Sequence, residues 1–435
     1  MSSNARLKNI AGRGEHHPGR SKVRSSGYLS RLGPGIVTGA ADDDPSGIGT
    51  YSQAGSQVGY GMLWAAPLLL PLAFATQEAC ARLALVTGKG LAALIKAKLP
   101  RWVLVIAVLL VAFANTVNIA ADLASMAAAL RLIMPVDQTV GVILFALFMA
   151  VSEIFIPYHR YAKVLRWLCL SLLAYVAVMF VAKVDWAAVA TGTLLPQVAF
   201  NKATLALLIA LAGTTISPYL FFWQAAEEVE ERQATGATSD SETLDIQHVQ
   251  AMRGDVFSGM LTGVFIMFAI MVTAAATLHQ NGILQINSAE DAAQALVPIA
   301  GQFAGLLFLL GILGVGLLSV PVLAGSTAYA VAETFGWRES LELAPRQARA
   351  FYSVIVASML VALLLNFIGI PAMYFLFLAA VCNGLSAPAL MVIVWWLARD
   401  KKLLGRWASG PLSQTVLAIA TLAMAALPAL WLFAK

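Results

Sequence analysis

Residues 38–50 read Thr38-Gly39-Ala40-Ala41-Asp42-Asp43-Asp44-Pro45-Ser46-Gly47-Ile48-Gly49-Thr50 and put three consecutive aspartates inside an apolar stretch. Proline removes an amide donor and clashes with the preceding helical turn, and glycine adds backbone freedom. A helix entering from Leu32 is therefore expected to come apart near Asp44 and to restart near Ile48. Neither 32–41 nor 48–57 is long enough to span a bilayer, which needs about 20 residues, so the aspartates are not a loop between two spans. A break in a membrane helix is tolerated only where the loose backbone is buried in protein or lines a cavity. Carboxylates at that depth are costly and usually functional. The expected product is a cation site made of aspartate oxygen and freed carbonyls.

The rest of the chain supports a membrane setting. Of 435 residues, 60% are hydrophobic and 12% charged, against about 25% charged in a soluble domain. The net charge of +5 is read loop by loop for topology and not as a nucleic-acid signal. Cys80, Cys169 and Cys382 lie in apolar stretches with neither disulfide nor metal-ligand spacing. Residues 1–31 carry Arg6, Lys8, Arg13, Arg20, Lys22, Arg24 and Arg31 against Glu15. With no apolar core before residue 32, they read as a disordered cytoplasmic tail and not as a cleavable signal. No nucleophile–base pair, H-E-x-x-H or phosphate loop points to an enzyme or to a cofactor.

Eleven apolar spans are expected: 32–57, 61–83, 102–130, 139–157, 164–183, 203–226, 254–278, 302–330, 351–368, 371–397 and 412–433. With the N-terminus inside, 82–101, 158–166 and 398–407 are cytoplasmic and rich in Lys and Arg, while 184–202, 279–298 and 369–370 carry few. The positive-inside rule is met, and the C-terminus falls outside. The loop 227–253 is acidic, and its Ser/Thr/Gly content at 234–243 reads as a flexible connection. Glu78 and Glu153 are read as lying near span ends, solvated or paired.

The sixth span, from Leu207, is interrupted by Gly213, Thr214, Thr215, Ser217 and Pro218. It lies five spans after the first break. Many secondary transporters consist of two inverted repeats with a discontinuous helix at matching places. Spans 1–5 (about 32–183) and 6–10 (about 203–397) would be those repeats, and 398–435 adds a loop and an eleventh span. Plain readings stand beside this one. Pro218 alone would kink a helix, and Thr214, Thr215 and Ser217 would bond across helices as small polar residues do. Asp122 in the third span is either structural, bonded to Asn118 or a neighbouring helix, or part of an ion pathway. Asn383 in the tenth span is either a packing residue or a lining one.

The ligand chemistry is hard. None of His16, His17, His159, His248 and His279 sits inside a span core. Met126, Met134, Met149, Met179 and Met252 are all distant in sequence from both breaks. Carboxylate, hydroxyl and carbonyl oxygens remain, which suit Mg²⁺ first and Mn²⁺ next. Gly47 and Ser217 are small enough to leave room for the waters that Mg²⁺ keeps.

Several motifs resemble the NRAMP divalent-metal transporter family over most of residues 32–397. These are GPG at 33–35, DP at 44–45, AGSQVGYGMLW at 54–64 and ARLALVTGKGLA at 81–92. The resemblance implies an all-helical transporter of two inverted five-helix repeats, with broken helices 1 and 6, that imports divalent metal. It also implies Asp44 as the anionic ligand and backbone carbonyls of Ala41 and Thr214 as further ligands. The departures narrow the branch. Where the family has Asp-Pro-Gly-Asn, this chain has Asp44-Pro45-Ser46-Gly47, and where it has Met-Pro-His, this chain has Ser217-Pro218-Tyr219. Asp122 matches a family aspartate, but the glutamate three residues on is Ser125. The pattern is similar to the NRAMP-related magnesium transporters, whose site is wider. It implies a metal site of Asp44, Gly47, Ala41, Thr214 and Ser217, with Asp122, Tyr219 and Asn383 as pathway candidates. The expected partners are Mg²⁺ or Mn²⁺ as substrate and the lipid bilayer, in the cell (inner) membrane; nucleic acid is not expected, and no oligomeric state is implied. A cation-coupled amino-acid or other organic-solute symporter on the same architecture is the alternative. There a helix N-terminus would hold a substrate carboxylate, which three adjacent aspartates would repel.

Overall fold

A long apolar segment in lipid must satisfy its backbone groups internally, so it folds as a helix. The computed structural model describes residues 38–39, 41–156, 170–199, 201–234, 244–341 and 343–434, and among them there is no strand. Its helices of eight residues or more are α1 (Pro45–Val58), α2 (Ala65–Thr87), α3 (Leu91–Lys98), α4 (Arg101–Arg131) and α5 (Gln138–Phe155). They continue as α6 (Leu173–Val181), α7 (Trp186–Leu194), α8 (Lys202–Thr215), α9 (Pro218–Ala234) and α10 (Ile246–Thr277). The last four are α11 (Ala304–Phe335), α12 (Arg349–Asn366), α13 (Ala372–Ala398) and α14 (Pro411–Phe433).

Among the described residues nine helical segments are long and apolar enough to cross a membrane, and a bent pair adds a tenth. The count of eleven depends on residues before 38 and on 157–169, outside the described residues. The basic segment 1–31 and the connection 235–243 lie outside them as well.

Three expected loops are shorter or more ordered than the composition implies. The acidic stretch 227–253 is mostly helix: α9 runs on to Ala234 and α10 starts at Ile246, capped by the Asp245 side chain. Glutamates have good helix propensity, and charge alone does not end a helix. In 184–202, α7 folds back at 116° to the preceding helix, with Asp185 accepting from the Ala187 and Ala188 N–H groups. Arg82, counted above with a loop, lies within α2 and is buried against Glu78, which also pairs with Arg253 at 3.1 Å. Glu78 is thus paired. Glu153 lies near the end of α5, as expected, but it is buried and not solvated, and both its carboxylate oxygens lack a hydrogen-bond partner among the described residues.

The packing repeats itself. α1 packs on α10, and α9 packs on α2; α4 crosses α11 at the centre; α4 meets α5 as α11 meets α12. Those are the pairings that two inverted five-helix repeats require, with helices 1 and 6, 2 and 7, 3 and 8, 4 and 9 as equivalents. The two broken helices sit deepest. In the apolar window of α8–α9, 94% of residues are buried, against 22% in α14. Small residues permit the close approach. A Cβ at Gly213 would overlap the Ala380 carbonyl and the Gly384 nitrogen of α13, and one at Gly55 would overlap the Met271 carbonyl of α10.

Candidate metal site

In a continuous helix the N–H of each residue meets the carbonyl four residues back. Pro45 has no N–H, so the carbonyl of Ala41 is left over. Pro218 has none either, so the carbonyl of Thr214 is left over in the same way. Each break thus frees one carbonyl by one rule. Residues 38–42 are helical apart from Ala40, which is not described, and the chain then opens at Asp43–Asp44. α1 restarts at Pro45, three residues before the expected Ile48, because Asp44 is an N-cap and proline is well tolerated at the first helical position. α8 ends at Thr215, Ile216 is non-helical, and α9 restarts at Pro218.

The side chains around these two carbonyls are buried. Asp42, Asp43 and Asp44 are 1%, 3% and 1% exposed. The Asp44 carboxylate accepts from the Ser46 hydroxyl at 2.6 Å and the Gly47 N–H at 2.8 Å through one oxygen, and from the Asn118 amide at 2.9 Å through the other. The freed Ala41 carbonyl accepts from the Tyr219 hydroxyl at 2.8 Å, which brings the two breaks together. The freed Thr214 carbonyl accepts from the Ser217 hydroxyl at 2.7 Å, and that hydroxyl also lies 2.8 Å from the Gly213 carbonyl. A Cβ at Gly47 would stand 3.2 Å from the Tyr51 ring, so the space at Gly47 is bounded by an aromatic face.

Asp122 does not bond Asn118. Its Oδ2 accepts from Ser319 of α11 at 2.9 Å, and Asn118 reaches Asp44 instead. Asn383 immediately precedes Gly384, which touches α8 at Ile209. Both amide atoms of Asn383 lack a hydrogen-bond partner among the described residues, as do Oδ1 of Asp42, Asp43, Asn118 and Asp122. Native interiors leave few such atoms, and a cluster of them calls for an ion or water.

All eight candidate residues are accounted for. Asp44, Gly47, Ala41 and Tyr219 meet at the first break, Thr214 and Ser217 form the second, and Asp122 and Asn383 lie on the flanking helices α4 and α13. Among the described residues no three His, Cys, Asp or Glu side chains converge. The oxygen chemistry on offer at the breaks is aspartate carboxylate with carbonyls and hydroxyls, a set suited to hard cations that keep waters. Sequence spacing missed the sulfurs. Met126 of α4 and Pro45 both press on Gly316, and the Met267 thioether lies 3.4 Å from the Thr215 hydroxyl. Met126 follows Asn118 and Asp122 at four-residue steps, a signal that was present. Ser319 and Met267 arrive from helices distant in sequence, with no local signal.

The model of the family described as "Natural resistance-associated macrophage protein-like", Nramp, matches residues 35–434. The chain belongs to the Nramp family. As an Nramp member it is a divalent metal transporter and not an enzyme. Among curated relatives, the divalent metal cation transporter MntH of Aeromonas hydrophila is 27% identical over 397 residues, covering 89% of this chain and 91% of that protein. MntH of Yersinia pestis is 30% identical over 308 residues, covering 68% of this chain and 70% of that one. Among solved structures, a manganese transporter of Eremococcus coleocola superposes with a TM-score of 0.72 at 16% identity, covering 92% of this chain and 85% of that one. The nucleobase-cation symporter Mhp1 superposes at 0.56 with 15% identity. At those identities the superpositions speak for the fold, two inverted five-helix repeats with helices 1 and 6 broken.

Proposed function

We propose that this Nramp protein imports Mg²⁺, and Mn²⁺ next, by alternating access about the two helix breaks. Asp44 is the anionic ligand, and the carbonyls of Ala41 and Thr214 are neutral ligands. Gly47 and Ser217 leave space for part of the water shell, which Mg²⁺ sheds reluctantly. The observation that carries this is the pair of prolines, Pro45 and Pro218, each freeing the carbonyl four residues back, with Tyr219 of the second broken helix bonded to the carbonyl freed in the first. The hydrogen bonds now made to those carbonyls are ones that a cation would share or replace. The relatives named for manganese and divalent metal transport support the ion class. The N-terminus faces the cytoplasm of the cell membrane, as the basic loops require. Proton coupling is weak in this scheme, because Tyr219 and Ser125 stand where the family carries titrating groups.

The test is parallel uptake of Mg²⁺ and Mn²⁺ into proteoliposomes carrying an internal pH dye. Wild type should take up both with little acidification, and Asp44→Ala should abolish uptake while the protein still inserts and folds. Retained uptake in Asp44→Ala with loss in Asp42→Ala or Asp43→Ala would move the site along the chain. Transport of Mn²⁺ that ignores Mg²⁺ would end the hydrated-ion reading.

A further inference from the structure

Far from the breaks, the first half of α4 and the last third of α13 diverge and leave a groove of about 350 Å³. Its walls are apolar: Trp102, Ile106 and Leu110 on one side, Ala389, Ile393 and Trp396 on the other. Trp102 is 65% exposed, so the groove opens outward from the bundle, where lipid chains are the solvent. One end of it is strongly basic. Lys98 and Arg101 stand at the α3–α4 junction, and Arg399, Lys401 and Lys402 follow α13, against a single acid, Asp400. That acid is matched by Lys98 at 3.0 Å, which ties the two helix ends together at the mouth of the groove. Among the described residues no carboxylate pairs with Arg101, Arg399, Lys401 or Lys402. The Arg399 guanidinium lies 4.7 Å over the Trp395 ring. Stacking engages the face of that group and leaves its N–H edge to bind an oxyanion.

We propose that this groove is a binding site for an anionic glycerophospholipid, with an acyl chain along the apolar walls and the phosphate at the Arg101–Arg399 rim. An apolar slot ending in unmatched cations between transmembrane helices is the complement of such a lipid. An extended peptide does not fit there, because its backbone polar groups would go unsatisfied in hydrocarbon. The proposed orientation would place that rim in the cytoplasmic leaflet, and nothing else here rests on the proposed function. Binding is read without transport, so the two proposals fail separately.

The experiment is native mass spectrometry of the full-length protein loaded with equal phosphatidylglycerol and phosphatidylcholine of the same chains. Wild type should retain about 25-fold more of the anionic lipid, and less of that excess as salt is raised. Each surface cation is worth about fivefold, so Arg101→Gln with Arg399→Gln should bring the two lipids near parity, phosphatidylcholine being unaffected. Ala389 is exposed, and Ala389→Trp should lower retention of both by filling the slot. Equal retention by wild type, or a preference that survives the double change and high salt, would overturn the proposal. So would full competition by glycerol 3-phosphate, which lacks a chain, or a dimeric mass lost in Ala389→Trp, which would make the occupant a second copy.

Discussion

Asp44 caps α1, and the ligand role proposed for it is compatible with that duty. An ionised carboxylate has about four lone-pair sites, and the Ser46, Gly47 and Asn118 donors use three. Those donors hold the carboxylate in place and leave capacity for a cation. In the proposed site, Gly47 and Ser217 set how large the cation with its waters can be. At 47 an asparagine Cβ would press 3.2 Å from Tyr51, so the ring must yield by a few tenths of an ångström. At 217 a methionine would release the Thr214 carbonyl from its hydroxyl bond and add a soft sulfur. The double change Gly47→Asn with Ser217→Met should weaken Mg²⁺ and strengthen Cd²⁺, a shift of about tenfold in relative affinity that needs only ~1.4 kcal/mol. Competition between the two ions in calorimetry checks it. Equal loss of both would make these residues packing elements and nothing more.

At the level of elements, the proposed transport depends on two helices being discontinuous. Pro218 opens α9, where a missing N–H costs little, and its effect falls on the Thr214 carbonyl. Pro218→Ala would supply a donor four residues beyond that carbonyl and allow α8 and α9 to join. The expected outcome is a melting temperature within a few degrees of wild type and metal uptake reduced tenfold or more. A thermal-shift assay beside the uptake assay separates loss of a ligand from loss of the fold. Unchanged uptake would show that the Thr214 carbonyl is not a ligand.

The whole molecule pays for its buried acids at the end where the basic loops lie. Glu339, beyond the end of α11, is held up to about 8 by burial first, then by the charges of Glu333 and Glu230. Glu333 accepts from the Ala93 N–H at 2.8 Å, and Tyr329 donates to Glu230 at 2.5 Å. A carboxyl whose folded pKa exceeds its unfolded value of about 4.5 binds more protons when folded. Stability from this group is full below the unfolded pKa and declines as pH rises toward the folded one. Wild type should therefore lose melting temperature between about pH 4.5 and 8 relative to Glu339→Gln, whose curve should be flatter over that range. Parallel curves would show that Glu339 is solvated.

The sequence by itself determined the helical class, the membrane setting and both break positions. Each of these follows from covalent chemistry along the chain: Pro45 and Pro218 lack an N–H, and runs of apolar residues admit only helices in lipid. Motifs at 33–92 were specific enough to carry the family. The tertiary structure alone decided who meets whom across the breaks. Tyr219 on the Ala41 carbonyl, Asn118 on Asp44 and Ser319 on Asp122 join residues 178, 74 and 197 positions apart, and no local pattern encodes such pairs. Met267 and Met126 were placed near the breaks by helix packing, which sequence distance hides. The acidic stretch 227–253 was misread as loop because charge was weighed above helix propensity, and the burial of Glu153 near its helix end was missed because burial depends on neighbouring helices and not on position along its own.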